Sequence, residues 1–382
     1  MRAEPRAADR TVPADGLAPY RAALVDWMAC AFRGRSEPAA RAAEQAGSGL
    51  LERVTALGAA GHVLDFDDTY LPGIAHLSAP VAPAALALAA AHGATVGDAL
   101  AAYAEGFEAM GALAAAGHPA LYDRGWHPTA VCGVVGAAVA AARLLGADRA
   151  TAAGLAALRA GGLRAAFGSD GKSLQVGLAA AAGVAAARLA AAGATVPHAR
   201  VAAAWRDAYG GEWATRGDVP AIEHNWIKAW PCCLQTHGAI ECAERIDGVP
   251  DGPLTVLAHP VSRQAAGYDG VETPLQGKFS IPYTTAFTLL HGGPRVASFA
   301  ALDAEAQALA QRITVRTDPA LGESEFALLA GAEELARIDA ARGSPLHPLS
   351  PEELRAKVHD LAGDRFDELP DDTPAGELLT RL

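Results

Sequence analysis

Aromatic and charged residues are scarce in this chain of 382 residues. Aromatics make up 6% of the sequence and charged residues 19%, although 51% of it is hydrophobic. Much of the apolar content is alanine, the strongest helix former. The long Ala/Leu-rich stretches hold few β-branched residues, which would favour strands. The composition therefore predicts a mainly α-helical fold with closely packed helices.

Positive charge is also in deficit, and the cysteines follow no metal-binding spacing. The formal net charge of −12 argues against a surface that binds nucleic acid or anionic membranes. The charged N-terminus lacks the apolar segment of a secretory signal, and the apolar stretches are too rich in alanine for a membrane span. Five cysteines without CxxC spacing are typical of reduced thiols. We therefore expect a cytoplasmic protein with no nucleic-acid or membrane partner.

Two domains are predicted from a change of amino-acid composition near residue 212. Ala-rich helical stretches precede it, after a lead-in at residues 1–15 that we expect to be frayed. Tryptophans and short strand-like segments follow. The segment SPEELRAKVHDLAG has a Ser before Pro-Glu-Glu, a good helix start, and is expected to return to the helical domain. We predict a large all-helical domain of residues 1–227 and 346–382 and a smaller α+β lid domain of residues 228–345.

The positions of proline and glycine and the spacing of apolar residues predict individual helices and strands. Prolines near the start and Gly93 at the end indicate a helix over 79–93, and VGDALAAYAEGFEAMGALAAAG indicates another over 96–117. In the lid, 253–262 and 311–318 are predicted strands. Residues 325–339 are a predicted hairpin around Gly331, with a helix as the alternative.

The stretch GHVLDFDDTYLPGIAHLSAPV at 61–81 concentrates titratable groups in a Pro/Gly-rich loop. Asp65, Asp67 and Asp68 repel one another unless cations or hydrogen-bond donors stand near. One of the last two aspartates is expected to cap a helix. Capping does not account for His76, seven residues after Thr69, which a neighbouring carboxylate would tune for proton transfer. A metal is the competing interpretation, although no HxH or HExxH spacing is present.

Four further clusters carry polar residues within apolar chain. Arg124 and His127 flank a Gly-Trp turn, and His127 precedes a Pro-Thr helix start where an anion could bind. The loop GSDGK ends on Lys172, and the motif KAWPCCLQTHG holds Lys228 and Cys233. Each of these has an ordinary structural alternative, as a helix connection or a buried residue. The same holds for Tyr283 in KFSIPYTTAF, which on its own would be a core tyrosine.

Cations recur in these clusters although the protein is acidic overall. Arg124, Arg164, Lys172 and Lys228 alternate with possible proton donors and acceptors. That combination suits a substrate with several carboxylates, held by lysine and arginine while histidine, aspartate and tyrosine move protons.

Six motifs in order resemble the MmgE/PrpD family, which includes 2-methylcitrate dehydratase, cis-aconitate decarboxylase and iminodisuccinate epimerase. They are DFDDTYLPGIAHLSAPV, YDRGWHPTAVCG, GLRAAFGSDGKSLQVG, KAWPCCLQTHG, GKFSIPYTTAFTLL and GSPLHPLSPEELRAKV, and the resemblance runs from about residue 18 to 365. It implies a large helical domain, a smaller α+β lid, an active site between them and a homodimer. It also implies that no metal or organic cofactor is needed.

The resemblance assigns roles to individual residues. It makes Asp65, Thr69, His76, His127 and Tyr283 catalytic, with His76 held by Asp65 as the candidate acid/base. It makes Lys172 and Lys228 substrate-binding, and we predict the same role for Arg124 and Cys233 from their places in the motif clusters. Two positions depart from the family pattern. Leu77 replaces a proline after His76, and Cys233 replaces the histidine of cis-aconitate decarboxylase, which weakens a decarboxylase assignment.

The implied activity is proton chemistry beside a carboxylate of a small di- or tricarboxylate. A hydro-lyase of the 2-methylcitrate dehydratase type is the leading expectation, with an epimerase or a decarboxylase as alternatives. A carboxylate-binding protein without activity is the alternative from another class, and a metal-dependent hydrolase is a third.

Overall fold

The computed structural model describes residues 16–382, so the expected frayed lead-in at 1–15 lies outside the described residues. The fold is mainly α, with a large all-helical part and a smaller α+β part, as predicted. The first part contains α1 (Ala18–Gly34), α2 (Pro38–Gln45), α3 (Leu50–Val63), β1 (Thr69–Tyr70), α4 (Ser78–Ala91), α5 (Val96–Gly117), α6 (Ala120–Asp123), α7 (Pro128–Leu145), α8 (Arg149–Ala157), α9 (Gly171–Ala191) and α10 (His198–Tyr209).

The second part begins with a short strand and alternates helices with a four-stranded sheet. Its elements are β2 (Asn225–Trp226), α11 (Leu234–Glu244), β3 (Leu254–Ala258), α12 (Pro260–Ala265), α13 (Pro274–Gly277), α14 (Ile281–His291), α15 (Ala304–Ala310), β4 (Ile313–Thr317), β5 (Phe326–Ala330) and β6 (Glu333–Ile338). Two helices follow, α16 (Pro351–Ala362) and α17 (Ala375–Arg381).

Glycines let the helices of the first part approach one another closely. A Cβ on Gly58 of α3 would lie 2.8 Å from the Cα of Gly177 on α9. A Cβ on Gly106 of α5 would lie 2.5 Å from the carbonyl oxygen of Gly136 on α7. Real side chains do not tolerate such distances, so these crossings need glycine on both helices. The resulting bundle buries a core in which alanine is the commonest residue, together with larger side chains such as Trp27.

The sheet has the strand order β4-β3-β5-β6. β3 pairs parallel with β4 and antiparallel with β5, and β5 pairs antiparallel with β6. The predicted hairpin is confirmed, because Gly331 has φ +60° at the turn. The strand predicted over 253–262 is too long. It ends at Ala258, because Pro260 starts α12 and His259 Nδ1 accepts the N–H of Val261.

Two hydrophobic cores correspond to the two parts of the chain. α16 carries Val358 and Leu361 into the core of the helical part, and the second core lies around α11, α14 and the sheet. The predicted helix start at Ser350 is confirmed, since its hydroxyl accepts the N–H of Glu353 in a capping box. The domain boundaries predicted at residues 228 and 345 stay a prediction.

Two contacts tie distant segments to the loop between α3 and α4. Thr69 and Tyr70 of β1 pair antiparallel with Trp226 and Asn225 of β2. Lys357 of α16 donates to the carbonyl of Phe66 (2.8 Å) and pairs with the buried Asp26 of α1 at 2.6 Å. This loop is therefore held by elements from the beginning, middle and end of the described chain.

Two helices are long and apolar enough to cross a membrane by length and composition. They are α7, whose apolar window is 83% buried inside the protein, and α9, whose window is 44% buried. Core helices of a bundle pass the same test, so this finding is weak evidence for a membrane span. The cytoplasmic location remains a prediction.

Candidate active site

The loop between α3 and α4 is buried and strained. Asp65 has φ +53° and Ile74 has φ +46°, and they are the positive-φ residues other than glycine in residues 16–382. A left-handed backbone is unfavourable for a β-branched residue such as isoleucine and persists only where the surroundings impose it. Both residues border the same cavity.

Asp68 performs the capping role expected for one of the aspartates. Its carboxylate accepts the N–H of Ser78 (3.1 Å), the first residue of α4, and the Ser78 hydroxyl (2.7 Å). The side-chain amide of Asn225 donates to it at 3.0 Å. Burial raises the pKa of Asp68 to about 7. Asp68 therefore fixes the end of the loop to α4 and β2.

Asp65 is a buried carboxylate between two lysines. Its Oδ1 accepts Lys172 Nζ at 3.0 Å and Lys228 Nζ at 3.1 Å. Burial alone would raise the pKa of Asp65, but these two ammonium groups hold it well below its usual range. Oδ2 of the same carboxylate has no hydrogen-bond partner. Asp65 is thus ionised and keeps one acceptor oxygen free.

Asp67 and His62 form a chain that ends on Lys172. His62 Nδ1 lies 2.8 Å from Asp67 Oδ2, and His62 Nε2 lies 2.7 Å from Lys172 Nζ. An ammonium group can only donate, so Nε2 accepts the hydrogen bond from Lys172. The proton of the neutral ring is therefore on Nδ1, which donates a hydrogen bond to Asp67. Burial and the nearby Lys172 charge lower the pKa of His62 despite the opposing effect of Asp67. His62 is a neutral imidazole that orients the ammonium group.

His76 lies between the two aspartates. Its Nδ1 is 3.3 Å from Asp67 Oδ2 and its Nε2 is 3.6 Å from Asp65 Oδ1. The Thr69 hydroxyl is 3.5 Å from Nδ1. Burial, together with Lys172 and Lys228, lowers the pKa of His76 to about 3. The ring is therefore neutral at pH 7, and a proton on Nδ1, facing Asp67, leaves the lone pair on Nε2.

His127 precedes α7 and has a fixed tautomer. Gln175 Oε1 accepts the N–H of Leu163 at 2.9 Å, so its Nε2 is the group that faces His127 Nδ1 at 2.7 Å. Nδ1 consequently accepts and Nε2 carries the proton. Burial and Lys172 hold the pKa of His127 well below its usual range. The ring is a neutral hydrogen-bond donor at the helix start where the sequence predicts that an anion could bind.

These groups border a cavity between the helical part and the lid. Its polar wall consists of Asp65, Thr69, His76, Tyr122, His127, Lys172, Cys233 and Gln235, and its apolar wall consists of Leu71, Ile74, Phe167, Leu234, Ala265 and Phe279. Lys172 Nζ lies 5.6 and 5.5 Å from the ring centres of Phe167 and Phe279. Burial raises the pKa of the Cys233 thiol to about 11, so it stays protonated.

Three predicted site residues do not line this cavity. Lys228 lies behind Asp65, where its Nζ also donates to the carbonyls of Asp65 and Cys232. The Tyr283 hydroxyl accepts the N–H of Asp303. Arg124 is exposed and donates to two carbonyls at the end of α10. The direct substrate contact predicted for Lys228 thus lacks a geometric basis, because its three N–H groups are used elsewhere. The contact predicted for Arg124 lacks one because Arg124 lies on the surface and does not line the cavity.

Sequence reasoning missed three residues of the site. They are His62, Gln175 and Tyr122. Tyr122 is buried on the cavity wall, its hydroxyl has no hydrogen-bond partner, and the Arg164 guanidinium lies 4.2 Å from its ring centre. All three lie inside or beside the quoted motifs DFDD, YDRGWHP and GSDGK. That position in the sequence could have identified them as site residues.

A metal could be considered at His62, Asp65, Asp67 and His76, whose ligand atoms lie within 4.8 Å of one another. However, Lys172 donates to His62 Nε2 and to Asp65 Oδ1, and Lys228 donates to the same carboxylate oxygen. The two ammonium groups already supply the positive charge that these donors need. A divalent cation would have to displace Lys172 from both partners.

Comparison with known proteins gives two family matches along the chain. Residues 10–210 match the MmgE/PrpD N-terminal domain, and residues 230–373 match the MmgE/PrpD C-terminal domain. No curated protein matches the chain.

Proposed function

Because the chain belongs to the MmgE/PrpD family, whose domains cover most of its length, we propose that it moves a proton at the carbon beside a carboxylate. Membership supports dehydratase or lyase chemistry in general. Elimination of water from a β-hydroxy acid, as in 2-methylcitrate dehydratase, is the reaction that we propose first. Epimerisation would share the same carbanion-like intermediate and return the proton on the other face. Decarboxylation would form a carbanion by breaking the C–C bond to the departing CO₂ and would then protonate it. The chemistry we propose uses protein side chains alone.

His76 is the proposed base. His76 borders the cavity, with its Nδ1 3.3 Å from Asp67 Oδ2 and its Nε2 3.6 Å from Asp65 Oδ1. When Nε2 takes the Cα proton, the imidazolium that forms is flanked by both carboxylates. A pKa of about 3 makes His76 a weak base in the free protein. The negative charge of a bound substrate would raise that pKa and strengthen the base as it is needed.

Lys172 and His127 are the proposed binding groups for the substrate carboxylate. Two of the three N–H groups of Lys172 are used by His62 and Asp65, which leaves one for the substrate. His127 Nε2–H offers a second donor in the same wall. Charge that develops on the carboxylate as the Cα–H bond breaks would be stabilised by these donors in a cavity that excludes most water.

Tyr122 is the proposed acid. Burial raises the pKa of its hydroxyl, so the proton is retained, and the hydroxyl has no acceptor until a ligand arrives. In the elimination, the Cα–H electrons form the double bond and the Cβ–O bond breaks. The departing oxygen takes a proton from Tyr122 and leaves as water, and the proton on His76 then restores the tyrosine through solvent.

The observation that carries this proposal is the neutral His76 between two carboxylates, beside a lysine on the cavity wall. The test compares the His76→Ala variant with the parent protein. Each is incubated with candidate acids in D₂O, and the exchange of the Cα proton is measured by NMR. Removing a base typically lowers the rate 10²–10⁴-fold, so we expect about that loss with an unchanged melting temperature. His359→Ala, on the surface, is the matched control. Full exchange in His76→Ala would reject the role of His76.

The products distinguish the reactions. Loss of water indicates the hydro-lyase, exchange with inversion and no elimination indicates the epimerase, and release of CO₂ indicates the decarboxylase. A melting shift with an acid that is neither exchanged nor converted would favour the carboxylate-binding protein instead.

We also propose a homodimer, supported by an apolar face on α9. Leu178 and Leu189 are 60% and 55% exposed and lie eleven residues apart, which places them on the same side of the helix. Leu158 and Leu163 are also exposed, at 63% and 54%. Light scattering should give twice the chain mass. Leu178→Glu should shift the protein toward monomer, and a monomeric parent protein would contradict the proposal.

A further inference from the structure

We propose that Arg164 is a positioning residue that stabilises the phenolate formed when Tyr122 gives up its proton, an inference that rests on the proposed function. Each of these side chains carries a buried polar atom without a hydrogen-bond partner, the Tyr122 hydroxyl and the Arg164 Nε. The Arg164 guanidinium lies 4.2 Å from the centre of the Tyr122 ring. An unpaired donor on a charged group is costly to bury, so its place against the proposed acid calls for a physical reason.

Contacts from both parts of the chain hold Arg164 in this position. Its backbone N–H donates to the Gly125 carbonyl at 3.0 Å, just after α6. One terminal nitrogen of the guanidinium donates to the carbonyl of Gln264 on α12 at 3.2 Å. Tyr122 borders the cavity and Arg164 does not. The guanidinium is therefore fixed against the phenol ring, and it acts on the cavity through that ring.

The charge of Arg164 favours the ionised form of Tyr122. Within residues 16–382, Arg164 forms no ion pair with an aspartate or glutamate, so a carboxylate does not offset its charge. Burial and the Cys233 thiol raise the pKa of the Tyr122 hydroxyl, Arg164 lowers it, and Asp65 raises it. The remaining titratable side chains that line the cavity are His76, His127 and Lys172. Arg164 is the cation that lies against the phenol ring itself.

This charge acts at the step in which the substrate oxygen departs. Tyr122 gives its proton to the leaving hydroxyl, the Cβ–O bond breaks, and the hydroxyl leaves as water. The electron pair of the O–H bond stays on the phenol oxygen, which becomes a phenolate beside the guanidinium. A nearby opposite charge favours an ionised group, so Arg164 lowers the free-energy cost of the proton donation. Removal of the Cα proton by His76 is a separate step, in which Tyr122 takes no part.

Titration of a fluorinated tyrosine at position 122 tests the electrostatic effect without a substrate. Replacing Tyr122 by 2,3,5-trifluorotyrosine, a more acidic analogue, in the full-length protein lets ionisation of the phenol be followed by ¹⁹F NMR. Arg164→Met removes the charge, and we expect the pKa of the phenol to rise by about 1–3 pH units. Arg164→Lys keeps a charge and should restore most of that difference. Arg159→Met, which changes an exposed arginine between α8 and α9, is the matched control and should leave the pKa unchanged.

Kinetics with 2-methylcitrate, citrate and malate test the catalytic effect. For the parent protein and each variant, Cα-proton exchange in D₂O and loss of water are measured separately. We expect Arg164→Met to lower the rate of water loss roughly 10²-fold, while Cα-proton exchange and KM stay close to those of the parent protein. Arg164→Lys should recover part of the lost rate. A purely structural role would instead lower both rates together with the melting temperature.

The outcomes separate this inference from the proposed function. An unchanged pKa of the phenol in Arg164→Met overturns the inference and leaves the proposed function standing. A raised KM with an equal loss of exchange and dehydration would make Arg164 a ligand of a substrate carboxylate, which also overturns the inference. A parent protein that exchanges the Cα proton but releases no water overturns the role of Arg164 and keeps the Cα-proton chemistry. A parent protein that does neither with all three acids overturns both.

Discussion

Replacing Lys228 by methionine should destabilise the protein strongly, because this lysine holds the catalytic loop rather than the substrate. Its Nζ donates to Asp65 Oδ1, to the Asp65 carbonyl and to the Cys232 carbonyl, at 3.1, 2.9 and 3.0 Å. All three N–H groups are therefore used, and the side chain is fully buried. Methionine has a similar volume but leaves two carbonyls and part of a carboxylate without a donor.

The magnitude follows from these contacts. Removing one partner of a buried ion pair typically costs 3–5 kcal/mol. Lys172 would remain on Asp65 Oδ1, so we expect the lower end, about 3 kcal/mol of unfolding free energy at pH 7. Urea unfolding followed by circular dichroism should show a lower midpoint with an unchanged slope. The surface pair Arg355–Glu352 offers a control, and Arg355→Met should change stability by less than about 0.5 kcal/mol.

A double-mutant cycle makes the reasoning refutable. Asp65→Asn leaves both lysines without their carboxylate, whereas in the Lys228→Met background one of them is already gone. We therefore expect the two substitutions to be non-additive, with a coupling of about 1–3 kcal/mol. Additive effects, or a loss below about 1 kcal/mol in Lys228→Met alone, would refute a positioning role. A raised KM at unchanged stability would identify Lys228 as a substrate ligand.

Three further predictions concern the histidines and the strained loop. The pKa values of His76 and His237 are lowered to about 3 by burial, so the unfolded chain binds protons that the folded chain does not. The free energy of unfolding should fall as pH drops from about 6.5 toward 3, by about 1.4 kcal/mol per pH unit for each histidine. In acid-unfolding titrations, His237→Asn should lower the slope of the unfolding free energy against pH by the equivalent of one proton. Gln175→Leu removes the donor that keeps the proton of His127 on Nε2, so kcat should fall roughly tenfold with little change in melting temperature. An unchanged kcat would contradict the role of Gln175 in fixing this tautomer. Ile74→Asn relieves a left-handed strain of about 1–2 kcal/mol, so unfolding free energy should stay level or rise while activity falls; a large loss of stability would contradict the strain.

Much of the fold could be predicted where local signals agree with packing. The helix over 96–117 was predicted to the residue, because Thr95 and Asp98 form a capping box before a continuous Ala-rich face. The strand predicted over 253–262 overran, because Pro260 starts a helix that alternation alone does not reveal. A proline within an alternating segment therefore set the boundary that pattern reasoning missed.

The site was predicted in part, for a different reason. Asp65, Thr69, His76, His127 and Lys172 meet at one cavity, as the clustered motifs indicated. Which donors remain free could not be predicted, because that depends on pairings between residues far apart in the sequence.

Lys172 and Lys228 illustrate that limit. Both reach Asp65 from more than 100 residues away, but only one of them also borders the cavity. His62 lies on a helix like any other Ala-rich helix, and its pairing with Lys172 spans 110 residues.

The lysine contacts across the two parts of the chain have a consequence for how a ligand reaches the cavity. Lys228 and Lys278, both in the α+β part, donate to the backbone carbonyls of Asp65 and Leu64. Swinging the lid away as a rigid flap would strip two buried ammonium groups of their acceptors at once. These two hydrogen bonds therefore oppose a rigid-body opening of the lid, and a ligand that reaches the cavity without such an opening leaves both lysines paired.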